Sequence, residues 1–82
     1  MTEHKGLPVA GYKKQSDDNV QTVNVNKIME ERLLRRLEEL MSSDNHDKRM
    51  LSIAKTEIQS AFMWMNRAVF QPARITLPED HM

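Results

Sequence analysis

Three places in this 82-residue chain set an aromatic ring or a cation among neighbours that could aim it at an anionic ligand. Tyr12 follows Gly11 and precedes Lys13 and Lys14. A tyrosine on an arm beside a glycine can lie flat over a nucleobase, where stacking is worth ~1–3 kcal/mol per base. The same ring could tack the arm onto a neighbouring subunit, and pattern alone favours that plainer role. Lys27, beside Asn24 and Asn26, has the types needed to contact a phosphate and a base edge together, although most lone helix lysines are simply solvated. Arg67, after Asn66, could meet its symmetry mates around an oligomer axis and form an anion pocket. A salt bridge to a glutamate of an earlier helix is the competing role for Arg67.

Two helices must position these side chains. Residues 1–16 hold both glycines and a proline without helical period and read as an N-terminal arm. Ser16 or Asp17 can serve as N-cap, with Asp17 and Asp18 well placed against the positive end of a helix dipole. A first helix then runs to about Met41, with Met29, Leu33, Leu37 and Leu40 as its apolar stripe and Ile28, Leu34 and Met41 widening it. Ser42-Ser43-Asp44-Asn45 is a turn cluster. In the second helix Leu51, Ala54, Ile58, Ala61, Met65 and Ala68 form a seam of alternating three- and four-residue steps. Pro72 stops that helix near Phe70. The spacing therefore predicts an arm over 1–16, a two-helix hairpin over 17–71 and a flexible tail over 72–82. Trp64 with Met63 and Met65 reads as packing, since such residues at helical spacing are usually core.

A hairpin of two such helices is nearly 40 Å long at a rise of ~1.5 Å per residue. Alone it has one interface and leaves half of each wide stripe in water, so assembly with further copies is expected. Lys+Arg and Asp+Glu are balanced at 12 each. Without a broad basic surface, duplex DNA is an unfavourable partner, whereas a small anion needs only one or two well-placed cations. Cysteine is absent, no Gly-rich phosphate loop is visible, and His4, His46 and His81 do not share metal-ligand spacing. The chain thus reads as a binding protein and not an enzyme, with no metal or cofactor. It has no run of ~18 apolar residues and no signal-like opening, so neither a membrane partner nor secretion is expected.

The segment from Leu51 to Ala68, LSIAKTEIQSAFMWMNRA, narrows the reading. A leucine, a Lys-Thr-Glu triplet, then Met-Trp, one residue, Asn and a small residue resemble the helical hairpin of phage cyclic-nucleotide sponges. That family includes the second anti-CBASS protein, and its hairpin is shared with an anti-Thoeris sponge. Gly11-Tyr12 and Asn26-Lys27 fit the same pattern, so the resemblance spans residues 11 to about 70. It implies an all-α, interlocked homo-oligomer, typically a hexamer, that sequesters cyclic dinucleotides such as 3′,3′-cGAMP in the host bacterial cytoplasm without cleaving them. By that pattern Tyr12, with Gly11, stacks on a base, and Lys27, with Asn26, contacts the phosphodiester ring. Some members hold cyclic trinucleotides in a separate pocket, for which Arg67 is the residue here. The rival reading is a small phage regulator or inhibitor that binds a host protein through its helical face.

Overall fold

A computed structural model describes residues 10–81. It consists of two helices, α1 (Asp17–Met41) and α2 (Lys48–Phe70), folded into a hairpin, and a short 3₁₀ turn over Pro78–His81. No strand occurs among the described residues. The radius of gyration is 18.2 Å, against roughly 12 Å for a compact chain of this length. The hairpin is a long rod with little interior.

Each helix end follows from local chemistry. Ser16 is the N-cap of α1, and its Oγ accepts from the Asn19 backbone N–H at 3.1 Å. Asp17 and Asp18 fill the first turn, where their charges oppose the positive end of the macrodipole. Asp47 caps α2 in the same way, accepting from the Met50 N–H at 2.9 Å. Lys48 then sits where a cation is unfavourable for α2, but its Nζ turns back to the carbonyls of Met41 and Ser43. There it satisfies acceptors at the C-terminal end of α1, which favours positive charge.

α2 ends at Gln71, which adopts φ 44°, ψ 62°, and whose N–H donates to the Arg67 carbonyl at 2.7 Å. Glycine usually occupies this left-handed capping position because a Cβ there is crowded. Gln71→Gly is therefore expected to raise stability by about 1 kcal/mol, read as a shift in urea midpoint at unchanged slope.

Among the described residues only Val23, Leu37 and Phe62 are buried. α1 turns Val23, Asn26, Glu30, Leu34 and Leu37 inward, and α2 answers with Leu51, Ala54, Ile58, Phe62, Asn66 and Val69. The seam expected for α2 meets α1 over only part of its length. Its first half, Leu51, Ala54 and Ile58, faces the partner helix, but Ala61, Met65 and Ala68 are exposed. A 3.5-residue repeat drifts by ~20° per heptad around a straight helix of 3.6 residues per turn. By Ala61 the apolar stripe has rotated off α1, and Phe62 and Asn66 take over the contact. In α1, Met29 and Leu33 are likewise exposed, together with Val25 and Ile28. On α2, Ile53, Met63, Trp64 and Met65 are open to solvent. Trp64, read as packing, is 61% exposed and packs into no core of the single chain. No described helix is long and apolar enough to cross a membrane.

The segment after α2 has more local order than its sequence pattern suggests. The Ala73 N–H donates to the Gly11 carbonyl at 2.8 Å, and Asp80 Oδ2 accepts from the Leu77 N–H at 2.8 Å.

Candidate functional site

Where the arm meets the far end of the hairpin, the chain forms an open cleft of about 540 Å³. The arm is led there by polar links to the hairpin. Gln15 Nε2 donates to the Phe70 carbonyl at 2.9 Å and to the Lys13 carbonyl at 3.0 Å. Asn19 Nδ2 reaches Gln15 Oε1 at 3.2 Å and the Val69 carbonyl at 3.4 Å. These bonds dock the start of α1 and the end of the arm on the last turn of α2.

Tyr12 lines the cleft beside Lys13 and Lys14, and α2 contributes Met63, Asn66, Arg67 and Phe70. Three cations line it and no carboxylate does. In a chain of zero formal net charge, that is a local separation of charge, and it favours an anion. The tyrosine ring is 61% exposed and so accessible for stacking. The Arg67 guanidinium lies 6.0 Å from the Trp64 ring centroid, at the outer limit of a cation–π contact. Among the described residues the ion pairs are Arg35–Glu31 and Arg36–Glu39, both solvent-exposed turns of α1. No described glutamate pairs with Arg67, so its plainer role is not met by α1.

Asn66 is held by Asn26, whose Nδ2 donates to Asn66 Oδ1 at 3.0 Å across the hairpin. Both residues are partly buried, so the pair satisfies polar groups that an apolar neighbour would strand. Single replacement of either by alanine is expected to cost about 1–3 kcal/mol, and the Asn26→Ala/Asn66→Ala pair less than the sum of the two. A double-mutant cycle in urea reads the coupling.

The sequence-derived candidates do not all converge in one chain. Tyr12 and Arg67 line the same cleft, although the resemblance assigned them to separate pockets. Gly11, at φ +83°, precedes Tyr12 in the chain and is not itself part of the lining. Asn26 borders a shallow depression with Asp18, Gln21 and Thr22, and touches the main cleft through Asn66. Lys27 lines a different depression, with Ile28, Glu31, Arg32 and Arg35. His4 lies outside the described residues; His46 is in the interhelical turn and His81 in the 3₁₀ turn. No group of three or more metal-ligating side chains occurs among the described residues. Gln15, Phe70 and Pro72 belong to the cleft and were not singled out by sequence. The available signal was only that Pro72 must end α2 close to where a polar arm begins.

The fold is an all-helical hairpin with an exposed ring and three cations around an open cleft. The family model for the Acb2/Tad1 hairpin domain matches residues 5–70. The chain belongs to this family of anti-CBASS and anti-Thoeris sponges, proteins that counter anti-phage defence by binding cyclic oligonucleotide messengers and not by transforming them. No curated protein and no solved structure matches the chain.

Proposed function

We propose that this sponge sequesters cyclic dinucleotides such as 3′,3′-cGAMP, intact, in the cytoplasm of an infected bacterium, and so keeps CBASS effectors inactive. The observation that carries the reading is the cleft of about 540 Å³ in which Tyr12 stands among Lys13, Lys14 and Arg67 with no carboxylate. Its size falls within the range of small-molecule sites, roughly 300–1,000 Å³. A cyclic dinucleotide offers two flat bases to stack and two phosphodiester charges to neutralise, the two properties this lining complements.

Lys27 enters the reading through assembly. In one chain it faces a separate depression, so a site using both Tyr12 and Lys27 is completed by a second copy. The exposed apolar residues of both helices, Ile28, Met29 and Leu33 on α1 and Ile53, Trp64 and Met65 on α2, supply surface for such a homo-oligomer, a hexamer in the family pattern. Arg67 remains the candidate for cyclic trinucleotides, now beside Tyr12.

Sequestration works by mass action: a site tighter than the effector's, present in excess, lowers the free messenger. Calorimetric titration with 3′,3′-cGAMP, followed by chromatography of the released ligand, tests the proposal. Submicromolar binding with intact ligand recovered is expected. Absence of binding, or a linearised product, refutes it.

A further inference from the structure

The segment that follows α2 makes contacts that the hairpin itself does not need. Its Ala73 N–H donates to the Gly11 carbonyl at 2.8 Å, across 62 residues of chain. Gly11 lies in the left-handed region at φ +83°, and a Cβ built on it would run into the Ala73 carbonyl oxygen and meet Ile75 Cγ2 at 3.6 Å. Glycine is thus required at position 11 on two counts, backbone conformation and close approach of another strand of chain. The neighbours of the two bonded residues, Tyr12 and Pro72, both line the cleft. Gln15 fastens the other end of the arm to the Phe70 carbonyl. Tyr12 is consequently held between two fixed points, one on α2 and one on the segment beyond it. The family match ends at residue 70, so the second fixed point lies outside the shared hairpin.

We propose that Pro72–Ile75 is a positioning strap of the ligand site: it clasps the arm at Gly11 so that Tyr12 is already presented to the cleft before ligand arrives. This rests on the reading of the cleft as a nucleotide site. An unclasped arm would have to be ordered by the ligand, and that ordering is subtracted from affinity. Pro72 itself lines the cleft, whereas the clasp made by Ala73 and Ile75 acts through Tyr12.

The test uses the full chain. Ala73→Pro removes the N–H donor without shortening the tail, and Gly11→Ala opens the clasp from the other side. Titration with 3′,3′-cGAMP is expected to show roughly threefold to tenfold weaker binding for each, the cost of ordering one side chain and its backbone. Helicity and native mass should match wild type. In a Tyr12→Ala background, Ala73→Pro should cause no further loss, because there is no ring left to position. Wild-type affinity in both variants, or an undiminished loss without the tyrosine ring, overturns the strap. If wild type binds no cyclic dinucleotide, the proposed function falls, and the strap is judged by ligand-free amide exchange. Protection of the Ala73 N–H that Gly11→Ala abolishes supports the strap, and exchange at the unstructured rate overturns it.

Discussion

Phe62→Ala is expected to remove a large share of the stability of the hairpin at 25 °C. Truncating a buried phenylalanine costs ~3–5 kcal/mol. A chain of this length has about 4–12 kcal/mol in total at ~0.05–0.15 kcal/mol per residue. Phe62 is 7% exposed, and only Val23 and Leu37 share its degree of burial among the described residues. The loss therefore falls on a core with almost no redundancy. Circular dichroism at 222 nm across a urea series reads the effect. Trp64→Ala serves as the contrast: its ring is 61% exposed, so in an isolated hairpin its removal should change stability by less than ~0.5 kcal/mol. A large destabilisation by Trp64→Ala that grows on dilution would place that ring in an interface between copies. A small one at every concentration would place it in solvent.

The contrast between these two neighbouring aromatics shows what was legible in the sequence. Most helix ends were, because their determinants are local: Ser16 or Asp17 as a cap, the Ser42–Asn45 cluster as a turn and Pro72 as a stop, whereas the Asp47 cap of α2 was not singled out. Which face of each helix meets the other was only half legible. Leu51, Ala54 and Ile58 lie on the contact face, but Phe62 and Asn66 replace Ala61 and Met65 further along. A helix that is apolar on more than one side gives two stripes of comparable strength, and hydropathy does not say which belongs to its own hairpin partner. Val25, Met29 and Leu33 raise the same ambiguity on α1.

The candidate site was legible as residue types and not as geometry. Tyr12 and Arg67 stand out by chemistry, yet their convergence depends on the return of the arm. That return is made by bonds to the Phe70 and Val69 carbonyls and by the Gly11–Ala73 backbone bond. Backbone acceptors are present at every residue, so such contacts leave no mark in composition or spacing. Gly11 is the exception, because its positive φ and close neighbour exclude other side chains. The separation of Lys27 from Tyr12 within one chain was equally invisible, since it depends on which residues the hairpin brings together.

Tyr12→Ala is expected to reduce affinity for 3′,3′-cGAMP by roughly fivefold to 150-fold, the equivalent of ~1–3 kcal/mol for one base stack. If two copies of the ring sandwich the two bases of one ligand, the losses compound and binding falls below detection. The ring is exposed and lies on the arm, outside the buried set of Val23, Leu37 and Phe62. Helicity and native mass should therefore stay at wild-type values, which separates lost recognition from lost folding. Tyr12→Phe should keep most of the affinity, because stacking uses the ring face and not the hydroxyl. Lys27→Ala removes a charge-assisted contact worth ~1.5–3 kcal/mol and, in a site shared between copies, should match Tyr12→Ala in severity. Its salt dependence should differ: loss of a cation flattens the decline of affinity with added salt, whereas loss of a ring leaves that slope unchanged. Titrations of both variants at two salt concentrations give all four quantities. Wild-type affinity in Tyr12→Ala would remove the ring from the site, and wild-type affinity in Lys27→Ala would confine the site to the cleft of a single chain, with Lys13, Lys14 and Arg67 as its cations.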